Sequence, residues 1–68
     1  MTLDARGLRC PWPALRLARA LRTGEQGARF EVLADDPNAE REMRAVAEAA
    51  GRTLAKLDND RFEVAAAA

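Results

Sequence analysis

The sequence predicts an α+β fold, a two-layer βαβαββ sandwich in which two helices cover one face of a mixed four-stranded sheet. Three observations predict it. Two segments carry apolar residues at helical spacing, each with a single apolar stripe. One segment alternates apolar and charged residues with the period of two expected of a half-buried strand. The chain closes on two short strand-like runs joined by Asp58-Asn59-Asp60, residues suited to a tight hairpin. Helical crossovers favour parallel neighbours and the terminal hairpin is antiparallel, so the sheet is expected to be mixed.

The elements follow in order. Leu3 begins a short run that reads as an edge strand, with Asp4 on the opposite side, and Gly7 breaks it. From Pro13 to Arg22, residues Ala14, Leu17, Ala18 and Leu21 fall at i, i+3, i+4 and i+7. Gly24 is the expected stop, with Gly27 in the loop. Ala28 to Ala34 alternates, Phe30 and Val32 on one face and Arg29 and Glu31 on the other. Asp35-Asp36-Pro37 reads as a helix start, acidic caps followed by proline at the first helical position. The helix is expected to run to about Ala50, with Ala39, Met43, Val46, Ala47 and Ala50 inward, a Glu40–Arg44 pair outside, and Gly51 as terminator. Strands at about 53–57 and 61–64 finish a single domain over residues 1–64, and Ala65 to Ala68 is expected to fray.

At 68 residues the core is thin. The chain has one cysteine and no histidine, so neither an internal disulfide nor a zinc site of soft ligands is available as a staple. No metal and no cofactor are expected. Eleven basic and eleven acidic residues give a net charge of zero, which argues against direct nucleic-acid binding. Nothing in the sequence approaches a membrane span, and Met1 to Arg6 lacks the apolar stretch of a signal peptide. A soluble cytoplasmic protein with a reduced thiol is the expectation.

The chemically informative stretch is Gly7-Leu8-Arg9-Cys10-Pro11-Trp12-Pro13, where the first strand gives way to the first helix. Pro11 and Pro13 fix φ and remove two amide donors, which a first helical turn tolerates. Cys10 is thereby placed at or next to the helix N-cap. A free thiol is only about 3% thiolate at pH 7, and the thiolate is the nucleophile. Lowering its pKa to about 7 needs about 2 kcal/mol, to be drawn from the helix dipole and the adjacent Arg9. Without histidine there is no Cys–His dyad, and without a second cysteine no dithiol cycle within the chain. What remains is chemistry on one exposed sulfur, either holding and passing on a persulfide or forming a mixed disulfide with a partner.

Leu3-Asp4, Gly7-Leu8 and Cys10-Pro11-Trp12-Pro13 are similar to the opening signature of the TusA/SirA-like family, whose mark is Cys-Pro-x-Pro. Ala34-Asp35-Asp36-Pro37, after a strand, resembles the family's second signature. The resemblance covers nearly the whole chain. It implies that the last strand is inserted between the second and third, and that the chain is a sulfur carrier. Cys10 would take persulfide sulfur from a desulfurase or rhodanese-like donor and pass it to an acceptor protein, for tRNA thiolation, cofactor synthesis or sulfur oxidation. Trp12 stands between the prolines where family members often carry a polar or acidic residue.

Around Cys10, Arg9, Pro11 and Pro13 are the expected supporting residues, and Trp12, Arg6, Asp35 and Asp36 the candidate partner contacts. Each has a plainer account. Trp12 is a core ring, Asp35 and Asp36 are helix caps, and Arg6, Arg9, Arg16 and Arg19 are solvated surface. Two other functions compete with the relay: a non-catalytic interaction module presenting Trp12, and a thiol redox-regulatory module.

Overall fold

Two strands that run parallel cannot be joined by a tight turn, so the chain between them must cross the sheet. Strands β1 (Thr2–Asp4) and β2 (Phe30–Leu33) pair in parallel, Leu3 opposite Val32, and α1 (Trp12–Thr23) makes the crossing. The computed structural model describes residues 2–23 and 27–66. After β2 the chain forms α2 (Ala39–Ala49), then β3 (Leu54–Asp58) and β4 (Arg61–Val64). The spatial order is β1-β2-β4-β3, so the last strand lies between the second and third. Because β4 runs antiparallel to both neighbours, β2 and β3 are parallel to each other and α2 is a second crossover. This is the α+β sandwich with a mixed four-stranded sheet that the sequence predicts. Both helices begin beyond the C-terminal ends of parallel strands, which brings their starting loops to one edge of the domain.

The buried face of the sheet is Phe30, Val32, Leu54, Phe62 and Val64. Against it lie Ala14, Leu17 and Ala20 of α1 and Ala39, Met43 and Ala47 of α2. The many alanines let the helix backbones approach the sheet closely. The opposite face carries Glu31 and Glu63 directly across from one another. Arg61 lies 3.6 Å from Glu31, and Arg29 lies 3.6 Å from Glu63. These exposed pairs offset the like-charge contact, which explains how two glutamates sit side by side on a solvated face.

The α1 stripe differs from the one expected. Ala20 is buried, while Ala18 and Leu21 are half-buried and line a shallow groove with Val46, Ala49 and Ala50 of the neighbouring helix. Val46 and Ala50 are likewise less enclosed than expected, because α1 covers only part of that side of α2. The start of α2 also differs. Pro37 lies in a turn ahead of the helix, and Asn38 is the N-cap without a side-chain cap bond. Asp36 Oδ1 accepts the Asn38 N–H at 2.8 Å, so it closes that turn rather than the helix itself. The end of α2 is as expected. Gly51 has φ 74° and its N–H donates to Glu48 O at 3.0 Å, while Arg52 N–H donates to Ala47 O at 2.8 Å. This is a Schellman closure.

Arg52, only 8% exposed, is the one buried charged side chain among the described residues. Its Nε donates to Ala65 O at 2.6 Å, its Nη2 donates to Ala28 O, and its guanidinium lies 5.8 Å from the centre of the Phe30 ring. Ala65, expected to begin a loose tail, is thus tied, and its N–H also donates to Thr53 O at 2.9 Å. Ala67 and Ala68 of that tail, and the expected stop at Gly24, lie outside the described residues. The hairpin turns at Asn59–Asp60, and β3 has a bulge at Leu57 between the paired Lys56 and Asp58.

Candidate functional site

The loops ahead of α1 and α2 meet at the edge where both helices begin. Gly7 turns the first loop out of β1 with φ 80°, a left-handed conformation that glycine adopts without strain. Its N–H donates to Asp35 Oδ1 at 2.9 Å. Three residues on, the Cys10 N–H donates to Asp36 Oδ2 at 3.1 Å. Asp35 and Asp36, candidate partner contacts in the sequence, therefore fasten the cysteine loop to the loop ahead of α2. Asp36 lies below the usual carboxylate range because the backbone N–H groups of Asn38 and Cys10 both point at it, with the Arg9 charge adding to this.

Cys10 is half-buried, two residues before the first turn of α1, and the Cys10–Pro11 peptide bond is cis. Trp12 N–H donates to Arg9 O at 2.8 Å and Leu15 N–H to Pro11 O at 3.0 Å, which closes the chain into the helix behind the sulfur. Pro13 is buried in the core, whereas Pro11 is exposed.

The electrostatics of the sulfur differ from the expectation. Cys10 Sγ donates to Glu42 Oε1 at 2.5 Å, across the gap between the helices. That hydrogen bond pushes the thiol above its ordinary pKa, with burial and the negative charges of Glu42 and Asp36 acting in the same direction. The opposing cation is Arg41. Arg9 is exposed, and its charge falls on Asp36. The groups around Cys10 thus favour the hydrogen-bonded thiol, where the sequence suggests activation by Arg9 and the helix dipole. The sequence gives no local sign of Glu42, which lies 32 residues from Cys10.

Trp12 is 59% exposed and Leu15 51% exposed. With Leu8, Arg16 and Arg19 they line an open cavity along α1 and the loop that leads into it. Arg6 is turned back on Asp4, with Nη2 3.0 Å from Oδ2. This pair brings Asp4 to about pKa 2. Of the candidate residues, the structure brings Cys10 and Asp36 together, adds Glu42, which was not among them, leaves Trp12 exposed to solvent, and commits Arg6 to Asp4. Among the described residues no helix is long and apolar enough to cross a membrane.

A βαβαββ sandwich with one thiol between two helix starts defines a small single-cysteine α+β domain, and known proteins share it. The profile of the family described as Sulfurtransferase TusA matches residues 1–65, and the chain belongs to that family. It is 36% identical over 56 residues to an Archaeoglobus fulgidus protein and 34% identical over 59 residues to an Aquifex aeolicus protein. Both carry the name "Putative sulfur carrier protein". These matches cover 82% and 87% of this chain but 73% and 30% of the relatives, so the chain spans under a third of the Aquifex protein. The crystal structure of a SirA-like protein from Desulfitobacterium hafniense superimposes with a TM-score of 0.70 at 35% identity, covering 93% of this chain and 89% of that one.

Proposed function

We propose that this chain is a sulfur carrier and that Cys10 is the atom-holding residue. The observation that carries the reading is the position of the Cys10 thiol. It is half-exposed at the edge where both helices begin, on a loop held by Asp35 and Asp36 rather than sealed in the apolar layer. The relatives' names support the same reading. The donor is a protein persulfide, from a desulfurase or a rhodanese-like protein. The acceptor is a second protein, and it decides whether the sulfur enters tRNA thiolation, cofactor synthesis or sulfur oxidation. A net charge of zero supports a protein acceptor over RNA itself. The compartment that fits a single free thiol is the cytoplasm.

Partners dock on the face beside the sulfur. Trp12 and Leu15 supply apolar contact there, and the exposed Arg9, Arg16 and Arg19 form its rim. The test is isotopic. The chain is incubated with a cysteine desulfurase and cysteine labelled at sulfur. The label is expected on wild type, absent from Cys10→Ser, and released by a thiol reductant. Label retained on Cys10→Ser would remove Cys10 from the relay.

A further inference from the structure

We propose that Glu42 is the proton acceptor for sulfur transfer onto Cys10, because its Oε1 lies 2.5 Å from the reacting Sγ and no other free carboxylate or imidazole reaches that atom among the described residues. This inference rests on the carrier reading above. It changes the expected chemistry, since the sequence offers no dedicated base for the thiol.

A thiol must lose its proton to attack, and the proton must go somewhere. The chain has no histidine. On the loop ahead of α2, Asp36 faces the cysteine, but its Oδ2 already accepts the Cys10 N–H and its Oδ1 the Asn38 N–H. On α2 the groups acting on the sulfur are Glu42, which touches it, and Arg41, which acts through its charge alone. Arg9, on the sulfur's own loop, acts on Asp36. Glu42 is also held by a different element from Cys10, so the two are aligned by the packing of α2 rather than by chance along one loop.

The step balances as follows. Sγ forms a bond to the terminal sulfur of the donor persulfide while its own proton passes to Glu42 Oε1. The donor's S–S bond breaks, and its electron pair leaves on the donor thiolate. The moving sulfur keeps its oxidation level, so no outside oxidant or reductant is required. The proton on Glu42 then passes to the arriving terminal sulfur or to the donor thiolate. The products are a Cys10 persulfide and a donor thiol, with Glu42 restored as a carboxylate. The terminal sulfur then stands about 2 Å further out than Sγ, toward the acceptor.

Glu42→Gln tests this, because the amide keeps the shape and removes the proton acceptor. Two assays are read on wild type, Glu42→Gln and Glu42→Asp. The first is the pH profile of Cys10 alkylation by iodoacetamide, which needs no sulfur donor. Its midpoint is expected to fall in Glu42→Gln, since a neutral amide no longer opposes the thiolate. The second is the rate of sulfur uptake from glutathione persulfide at pH 7, which avoids protein docking. Uptake is expected to drop at least about tenfold in Glu42→Gln despite the larger thiolate fraction, and to recover in part in Glu42→Asp. A merely electrostatic or structural Glu42 would leave uptake equal or faster, and that result overturns the proposal, as does an alkylation midpoint that does not move. A wild-type chain that takes up no sulfur removes the carrier reading and this proposal together. A wild type and Glu42→Gln that load at the same rate remove the proposal alone.

Discussion

The backbone N–H of Cys10 donates to Asp36 Oδ2 at 3.1 Å, which fastens the loop that bears the thiol to the loop that starts α2. The same carboxylate closes its own turn through the Asn38 N–H. Together with Asp35, which accepts the Gly7 N–H, this side chain holds the starts of the two helices together, and with them the contact between Cys10 and Glu42.

Acid should undo this fastening. Asp36 has its pKa lowered in the folded state, so its contribution is fully present above the ordinary carboxylate value and is lost as pH falls through the lowered one. Asp36→Ala is expected to lower Tm at pH 7. The gap between the melting temperatures of wild type and variant should narrow below about pH 4. The Asp4–Arg6 pair titrates in the same acid range but is common to both proteins and cancels. Thermal melts between neutral and acid pH check this, and a gap that stays constant with pH contradicts it.

Gly7 is held at φ 80°, and a Cβ placed there would meet nothing within 4 Å. The cost of a side chain is therefore backbone strain alone. Gly7→Ala is expected to lose about 1 kcal/mol of stability and to slow sulfur uptake, because the strained loop shifts Cys10. Gly7→Asn, which tolerates the left-handed region, should recover most of both. Urea denaturation and uptake rates on the two variants check the order.

Arg52 joins the beginning of β2 to the end of β4 through two carbonyl acceptors. Arg52→Ala would leave Ala28 O and Ala65 O without that partner and remove the contact with Phe30. We expect a loss of about 2–4 kcal/mol. That is a large part of the stability of a chain this short. Arg52→Lys should recover little, since one ammonium cannot reach both carbonyls in the guanidinium geometry. Chemical denaturation measures it, and a loss under about 0.5 kcal/mol would show the tie to be dispensable.

Trp12 is the only tryptophan in the chain, so fluorescence reports on its position directly. Emission from the free chain is expected to be that of a solvated indole and to shift to the blue when a sulfur donor protein docks. Trp12→Ala should leave Tm nearly unchanged and weaken transfer from a protein donor, while uptake from glutathione persulfide stays the same. Equal losses with both donors would place Trp12 in the chemistry rather than in docking.

The parts legible in the sequence were those with a local period. Phe30 and Val32 alternating with Glu31 mark β2, and apolar spacing marks both helices because each buries one side only. The place of β4 between β2 and β3 has no local signature; it followed from the family resemblance. Helix faces drifted where a stripe is shared, as at Ala18 and Leu21, which meet α2 rather than the sheet. The position of Cys10 just ahead of α1 was legible through its prolines, whereas its contact with Glu42 was not, because a contact across 32 residues leaves no spacing to read. Arg52 was silent for the same reason, since its partners lie 13 and 24 residues away. The acidic pair was half legible. Asp36 does close a local turn, but its second oxygen reaches across the chain to the thiol loop.

The most direct test of the account is the intact mass of the chain after incubation with a cysteine desulfurase and cysteine. Wild type is expected to gain the mass of a single sulfur atom, mapped to the peptide bearing Cys10 and lost on treatment with a reductant, while Cys10→Ser gains none. An unchanged wild-type mass, or an equal gain on Cys10→Ser, would contradict it.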